Sequence, residues 1–184
     1  VVAGVVPAPI FPRASFKTAE SYIETLAHIM STAGAKVAFC MDGNRDVVEQ
    51  AATRVEGLKL VEVESAFEGT GEPAPEVTIG PDDLCFLQFT SGSTSKPKGV
   101  MVTHANLVAN ARAFLGPAGL DRNDDDLGVT WLPLFHDMGL IGFVLGPLVC
   151  DIPVIILPTE LFARSPGLWL KTISERRGTI TFAP

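Results

Sequence analysis

Positive charge is scarce in this chain. Its 184 residues include 14 lysine and arginine residues against 21 aspartate and glutamate residues, which gives a net charge of −7. No stripe of basic residues runs along any predicted helix or strand, and such a stripe is the usual footprint of nucleic-acid binding. The composition therefore argues against a nucleic-acid partner. Against this acidic background, the neighbouring lysines Lys96 and Lys98 stand out.

Cysteine and histidine are also few, with three residues of each kind. Three cysteines cannot all pair within one chain, and each of them lies in an apolar run. This predicts reduced, buried thiols in a cytoplasmic protein. The cysteines and histidines are too scattered along the sequence to predict a zinc site, so no metal ligand is assigned. No secretory signal peptide is recognisable.

Uninterrupted hydrophobic runs of membrane-spanning length are missing as well. The strongest candidate, residues 138–158, is broken by Pro147, Asp151 and Pro153. These residues divide it into a helix of about a dozen residues and a strand of about five, which are ordinary sizes in globular domains. Glycines within the first part predict a buried helix with close neighbours rather than a transmembrane segment.

What the chain does have is an alternation of helical and strand patterns. The composition is 47% hydrophobic, which is enough to fill a core. Alternation of this kind predicts the α/β class, with a mostly parallel sheet flanked by helices. Residues 1–10 form a small apolar element, residues 68–81 and 116–126 are loops, and the acidic run at 124–126 is expected to be solvated. Helices are predicted at about 19–33, 42–54, 103–115 and 165–178, and strands at 36–41, 58–63, 84–89, 128–132, 154–157 and 179–182.

The densest chemical pattern follows the predicted strand 84–89. Residues 90–95 are all threonine, serine or glycine, and Lys96, Pro97, Lys98 and Gly99 come next. Small residues let backbone N–H groups approach an anion, hydroxyl groups add donors, and lysines add positive charge. The pattern predicts a binding site for a polyphosphate. Its candidate residues are Thr90, Ser91, Gly92, Ser93, Thr94, Lys98 and Gly99.

Three other interpretations of residues 90–99 fit less well. A flexible Ser/Gly linker needs neither an apolar strand on one side and the apolar run 100–102 on the other, nor two lysines around a proline. The P-loop pattern G-x-x-x-x-G-K-[ST] fails in register, because Pro97 holds the second glycine position counted from Gly92. A nucleophile elbow, G-x-S-x-G, fails because Ser91 and Ser95 stand where glycines are needed.

A second dense stretch, W-L-P-L-F-H-D-M-G-L, covers residues 131–140. A strand ends there, a proline turns the chain, and His136 and Asp137 open an apolar helix. From the residues alone, two interpretations stay open. Asp137 merely favours the helix N-terminus through the helix dipole while His136 fills a turn. Alternatively, His136 faces a bound acyl-phosphate anion, and Met138 and Gly139 shape an apolar tunnel.

The order [ST]-S-G-[ST]-T-x-x-P-K-G at residues 90–99 resembles the phosphate-binding signature of the adenylate-forming enzymes. That superfamily includes acyl-CoA synthetases, fatty acyl-AMP ligases, luciferases and the adenylation domains of peptide synthetases. Within it, the string L-P-x-[FY]-H-D-M-G-L at 132–140 is most similar to fatty acyl-AMP ligases. Residues 4–10, 87–90 and 179–184 resemble the same group.

The resemblance implies an ATP-dependent ligase that joins a fatty acid to AMP, releases pyrophosphate and passes the acyl group to an acyl carrier protein or a polyketide or peptide synthase module. It implies that residues 90–99 bind the phosphates of ATP. His136 would be the catalytic residue beside the reacting carboxylate, and it would bind substrate together with Asp137, Met138 and Gly139. An acyl-CoA ligase, an amino-acid adenylation domain and a non-catalytic phosphate-binding module remain alternatives.

Several motifs and one domain that are typical of the family do not occur in residues 1–184. They are the adenine and Mg²⁺ motif, the ribose-binding aspartate, the hinge, and the C-terminal domain with its catalytic lysine. Residues 1–184 are therefore expected to be a fragment of one N-terminal domain, truncated at both ends. The Mg²⁺ ligand is expected downstream.

Overall fold

Residues 4–12, 18–66, 76–90 and 96–184 are described by the structure, which is a computed structural model. The chain divides into two units. Unit 1 comprises Val1–Ile79 and Leu84–Val102, and unit 2 comprises Gly80–Asp83 and Thr103–Pro184. Helices alternate with short strands in both, and each unit contains a parallel strand pair, 37–40 with 59–62 in unit 1 and 128–130 with 154–156 in unit 2. The predicted α/β class is confirmed.

Unit 1 is built on helix α1, Ala19–Thr32. The Thr18 hydroxyl accepts a hydrogen bond from the Ser21 N–H at 3.2 Å, which satisfies one of the free donors of the first turn. Five residues spaced by three or four positions form one buried face. The helix ends just before Gly34, whose φ of 60° suits a glycine. The helix predicted at 19–33 is confirmed. Its buried residues are Tyr22, Ile23, Leu26, Ile29 and Met30.

A parallel pair of strands, β1 (Val37–Cys40) and β2 (Lys59–Glu62), follows α1. Between them, a 3₁₀ turn at Asp42–Asn44 leads into α2, Arg45–Ala52. The one-turn helix α3, Val63–Ala66, follows β2. Cys40 packs with α1 and α2 in the core of unit 1.

The apolar sequence of residues 36–41 predicts a buried strand, and the structure shows that β1 is buried on one face only. Val37 is 44% exposed and Phe39 is 63% exposed, whereas Cys40 is buried. Alternate residues of a strand point to opposite faces of the sheet. Helices α1 and α2 cover the face that carries Ala38 and Cys40, and Val37 and Phe39 point the other way.

Strands β3 (Leu84–Thr90) and β4 (Lys98–Thr103) pair with each other. Cys85, Phe86 and Phe89 of β3 are buried. The Leu87 N–H donates to the Pro7 carbonyl at 2.9 Å, which ties the apolar segment at the start of the chain to β3. The predicted strand at 84–89 is confirmed.

Unit 2 begins with helix α4, His104–Leu115. Thr103 and Asn106 form a capping box, in which each side chain accepts from the backbone N–H of the other. Leu107, Ala111 and Leu115 form the buried face, as their spacing predicts. α4 packs against the helical segment that follows His136.

That segment consists of α5 (Asp137–Leu140), a π-helical turn (Ile141–Leu145) and α6 (Gly146–Cys150). A Cβ atom at Gly142 would lie 2.5 Å from Cζ of Phe182, so the glycine makes room for an aromatic ring. This supports the prediction of a helix with close neighbours. Within the described ranges, no helix is long and apolar enough to cross a membrane.

Strand β5 (Gly128–Thr130) pairs in parallel with β6 (Val154–Ile156), and Gly128 also forms a parallel bridge with Ile180. Two helices, α7 (Thr159–Arg164) and α8 (Gly167–Arg176), follow β6. α7 was not predicted. The order Ser165–Pro166 predicts a serine cap for this helix, which is wrong, because the residue that precedes α8 is Pro166 and makes no side-chain capping bond.

The predicted strand at 179–182 is reduced to the single bridge at Ile180. Threonine side chains explain the difference, because their hydroxyl groups form hydrogen bonds with backbone groups of the neighbouring segment 127–129. The Thr181 hydroxyl donates to the Val129 carbonyl at 2.7 Å, and the Leu127 N–H donates to the Thr179 hydroxyl at 3.0 Å.

All three cysteines are free thiols, as predicted. Cys40 and Cys85 are buried, and burial raises the pKa of both thiols. Cys150 is only half-buried, which corrects the expectation for this residue.

Asp126 is not simply solvated, although it belongs to the acidic run at 124–126. Its carboxylate accepts hydrogen bonds from the Thr179 hydroxyl and from the Asn123 N–H, each at 2.6 Å. These two bonds, first that of Thr179, lower the pKa of Asp126. The carboxylate thus joins the loop before β5 to the segment after α8.

We expect Thr179→Val to destabilise the protein by about 1 kcal/mol at neutral pH, because it removes the partner of the Leu127 N–H and one of the two partners of the Asp126 carboxylate. Since the pKa of Asp126 is lowered in the folded protein, its ionised form stabilises the fold above about pH 4, and this contribution is lost on acidification. The variant should therefore lose less stability in acid than the wild type. Urea denaturation across pH measures both effects.

Thr172→Val is the matched control, since the Thr172 hydroxyl donates only within α8, to the Leu168 carbonyl. Equal stability of wild type and Thr179→Val at neutral pH would contradict the role given to this network.

Candidate active site

The predicted phosphate loop lies between two paired strands of unit 1. Thr90 is the last residue of β3, and Lys98 is the first residue of β4. Thr90, Lys96 and Lys98 are exposed, so their polar groups are accessible to a ligand. Ser91, Gly92, Ser93 and Thr94 lie outside the described residues, and their phosphate contacts stay predictions.

Gly99 has a packing role that the motif alone did not predict. A Cβ atom at this position would lie 3.0 Å from Cζ of Phe89, which is buried at the end of β3. Any side chain at position 99 would push the Phe89 ring or strand β4 aside. The glycine therefore lets the two strands approach, in addition to its predicted phosphate contact.

One contact to this loop was missed by the sequence analysis. Nε2 of His28, in α1, lies 3.1 Å from the carbonyl oxygen of Pro97 in a partly buried position. The two residues are 69 positions apart, and no local pattern around His28 indicates a partner.

The second predicted stretch lies in unit 2, and its strand–turn–helix order is confirmed. β5 ends at Thr130, whose buried hydroxyl accepts from the Leu132 N–H at 3.1 Å. The chain then turns, and the His136 N–H donates to the Pro133 carbonyl at 3.2 Å. His136 directly precedes α5, and 62% of its side chain is exposed. The imidazole is thus accessible at the start of the helix.

His136 and Asp137 form a close side-chain pair. Nδ1 of His136 lies 2.6 Å from Oδ1 of Asp137. A carboxylate oxygen only accepts hydrogen bonds, so Nδ1 carries the proton. The Met138 N–H lies 2.8 Å from the same carboxylate oxygen and 3.4 Å from Nδ1. We assign its hydrogen bond to Asp137, because a protonated Nδ1 cannot accept. Nε2 is the ring nitrogen left for an external ligand.

Both interpretations of this stretch therefore retain support. Asp137 lies in the first helical turn, as the structural interpretation requires, and it also accepts the Met138 N–H, a contact that this interpretation did not include. It also orients the His136 ring, which a purely capping residue would not do. The roles of His136, Asp137, Met138 and Gly139 in substrate binding stay predictions. Gly139 is buried, and a Cβ atom there would collide with the Pro133 carbonyl, so it supports the preceding turn.

An aromatic cluster fixes the end of β5 from which this turn starts. The Trp131 ring stacks on Phe162 of α7 with centroids 3.7 Å apart, and Trp169 of α8 packs edge-on against both. The Thr159 hydroxyl donates to the Trp131 carbonyl at 2.9 Å. The sequence analysis did not predict this cluster, because α7 was missed.

The described ranges contain no group of three or more His, Cys, Asp or Glu side chains that could hold a metal ion. No Mg²⁺ ligand is assigned to the described residues.

Comparison with known proteins supports the sequence resemblance. The family model described as AMP-binding enzyme matches residues 1–184. A putative acyl-CoA synthetase from Caulobacter vibrioides is 40% identical over 183 residues, which cover 99% of this chain and 31% of that protein. A medium-chain-fatty-acid–[acyl-carrier-protein] ligase from Teredinibacter turnerae is 38% identical over 136 residues, covering 73% of this chain and 21% of that protein.

Solved structures agree with these relatives. One from a study of fatty acyl-adenylate ligases from E. coli and L. pneumophila has a TM-score of 0.91 and 32% identity, covering all of this chain and 33% of that chain. A fatty acyl-adenylate ligase from L. pneumophila in complex with acyl adenylate and pyrophosphate has a TM-score of 0.78 and 30% identity, covering all of this chain and 31% of that chain. The matched residues make up about a fifth to a third of the length of these proteins. Because the family model covers every residue, the chain belongs to the AMP-binding enzyme family.

Proposed function

We propose that residues 1–184 are part of the N-terminal domain of a fatty acyl-AMP ligase, whose full-length form is called the parent enzyme here. The observation that carries this proposal is the likeness, over the whole chain, to a fatty acyl-adenylate ligase structure with a TM-score of 0.91 and 32% identity. The H-D-M-G string at 136–139 supports the same choice within the family.

In the proposed reaction, a carboxylate oxygen of the fatty acid attacks the α-phosphorus of ATP. A bond forms between that oxygen and the α-phosphorus, and the bond to the bridging oxygen of pyrophosphate breaks. The products are acyl-AMP and pyrophosphate. A thiol of the acceptor then attacks the acyl carbonyl, and AMP leaves.

In this proposal, Thr90, residues 91–94 and Lys98 hold the β- and γ-phosphates. Negative charge moves onto the departing pyrophosphate, and donors fixed in advance stabilise that charge in the transition state. Thr90 is exposed at the end of β3 and Lys98 at the start of β4, the strand paired with it, which supports this assignment. Mg²⁺, when bound, would neutralise phosphate charge, and its ligands are proposed to lie downstream of residue 184.

His136 is proposed to bind the reacting carboxylate or an oxygen of the α-phosphate through Nε2. Because Nδ1–H is engaged with Asp137, Nε2 accepts a hydrogen bond when the ring is neutral and donates one when the ring is protonated. A hydrogen bond to an anionic oxygen therefore requires the imidazolium form. The adjacent Asp137 carboxylate would balance the charge of that form.

The acyl acceptor is proposed to be an acyl carrier protein, alone or within a polyketide or peptide synthase module. The likeness to the Teredinibacter turnerae acyl-carrier-protein ligase supports it. Coenzyme A is the second candidate, because the Caulobacter vibrioides relative is described as a putative acyl-CoA synthetase. A cytoplasmic location belongs to the same proposal and is supported by the three free cysteines.

Exchange of labelled pyrophosphate into ATP tests the proposed function. The parent enzyme should catalyse exchange with medium- or long-chain fatty acids and not with a panel of amino acids, and the isolated 184 residues should show only background exchange. Supplying holo-acyl carrier protein or coenzyme A in parallel identifies the acceptor. Exchange that depends on amino acids alone would contradict the proposal, and robust exchange by the isolated chain would contradict its description as part of a domain.

A further inference from the structure

We propose that His28 is a positioning residue for the phosphate loop. The hydrogen bond from its Nε2 to the Pro97 carbonyl would hold the arm of the loop that carries Lys98. This inference rests on the proposed function, because it assumes that residues 90–99 bind the phosphates of ATP.

The chemistry of the contact determines which nitrogen of the His28 ring carries the hydrogen. A carbonyl oxygen only accepts hydrogen bonds, so Nε2 of His28 must carry the hydrogen. The separation of 3.1 Å is within the normal range for such a bond. The contact is partly buried, so water competes with it less than it would at an open surface.

The helix that carries His28 is well anchored. The neighbouring residues Leu26, Ile29 and Met30 of α1 are 1–4% exposed and pack into the interior of unit 1. The imidazole therefore projects from a fixed support. A donor on such a support can define the position of a loop, whereas a donor on a mobile segment cannot.

Pro97 is an effective point at which to hold the loop. Proline has no N–H group, so its carbonyl is its only backbone hydrogen-bonding group. The Pro97 carbonyl and the Lys98 N–H belong to one planar peptide unit, so fixing the oxygen also fixes the direction in which Lys98 leaves the loop. Lys98 is exposed, and it forms no ion pair within the described part of the chain. Its ammonium group thus remains available for a phosphate.

A merely structural role for His28 makes a different prediction. In that case its removal would lower the thermal midpoint of the protein but leave the kinetic constants of the folded enzyme unchanged. A positioning role changes the KM for ATP specifically, because only the phosphate loop is displaced.

Steady-state kinetics of the parent enzyme tests the proposal. His28→Ala should raise the KM for ATP about five- to tenfold, which corresponds to the loss of one ordinary hydrogen bond. The KM for the fatty acid should stay within about twofold of the wild-type value. Thr25→Val is the matched control, because the Thr25 hydroxyl donates only within α1, to the Ser21 carbonyl, and it should change neither constant.

Two further variants isolate the hydrogen bond and remain informative if His28→Ala fails to fold. His28→Gln keeps an N–H donor at a similar distance from the backbone, and His28→Met keeps a similar length without a donor. The glutamine variant should have a nearly normal KM for ATP and the methionine variant a raised one. Equal KM values in this pair would overturn the role of the hydrogen bond.

Lys98→Ala, measured in the same assay, separates this inference from the proposed function. A raised KM for ATP in Lys98→Ala, together with a normal KM in folded His28→Ala, would overturn the inference and leave the phosphate loop in place. Normal ATP kinetics in both variants would overturn the assignment of the loop itself, and the inference would fall with it.

Discussion

Replacing His136 by alanine in the parent enzyme is expected to slow acyl-adenylate formation by about 10²–10³-fold, which is the typical cost of losing a hydrogen-bond donor at a reacting group. The KM for ATP should change little, because His136 is assigned to the carboxylate side of the reaction. Single-turnover adenylation measures the rate, and the thermal midpoint of the same preparation reports stability.

His136→Asn is the control for a role in helix capping. Asparagine is among the best residues at the position before a helix, but it has no imidazole. The variant should therefore be stable and still slow. Normal adenylation by a stable His136→Asn or His136→Ala variant would leave His136 without a catalytic role. A raised KM for ATP as the sole change would place it on the pyrophosphate side instead.

Removal of the Lys98 ammonium group is expected to lower kcat/KM for ATP by about one to two decades. A charge-assisted hydrogen bond to a phosphate contributes about 1.5–3 kcal/mol, which converts to that range. The KM for the fatty acid should stay nearly constant. Thr94→Val should weaken ATP use in the same direction, because it removes one predicted phosphate donor.

Lys96→Ala is the matched control, since both lysines are exposed and they flank the same proline. The sequence motif requires a lysine at position 98 and leaves position 96 open, so Lys96→Ala should have a small effect. Unchanged ATP kinetics in a folded Lys98→Ala variant, or equal losses in the two variants, would contradict the assignment of Lys98.

Local signals predicted much of the fold. Apolar spacing correctly placed α1 and α4, because this signal lies within the helix itself. The strand predicted at 179–182 is wrong, since its threonine side chains bond to Val129 and Leu127, about fifty positions earlier. The exposure of Phe39 was also missed. Which face of a strand is covered depends on helices placed by the whole fold, not on the strand's own sequence.

In the candidate site, too, patterns within one segment could be predicted from the sequence, whereas contacts between distant residues could not. Residues 90–99 and 131–140 were both selected as candidate sites because each pattern consists of consecutive residues, and their roles stay predictions. The contact between His28 and Pro97 was missed because it joins residues far apart in the chain. The pairing of Nδ1 of His136 with Asp137 was missed for a different reason. The two residues are adjacent in the sequence, but adjacency alone does not determine whether their side chains point toward each other. The backbone conformation at the start of α5 brings the two groups to 2.6 Å.

Transfer of oxygen-18 from the fatty acid to AMP tests whether a fatty carboxylate attacks the α-phosphorus of ATP. The parent enzyme is supplied with a fatty acid labelled with oxygen-18 in its carboxylate, with ATP and with the acyl acceptor. Mass spectrometry then follows the label through complete turnover. If the carboxylate attacks the α-phosphorus, AMP gains a single labelled oxygen from the fatty acid and pyrophosphate gains none. Unlabelled AMP, or label recovered in inorganic phosphate, would contradict the account.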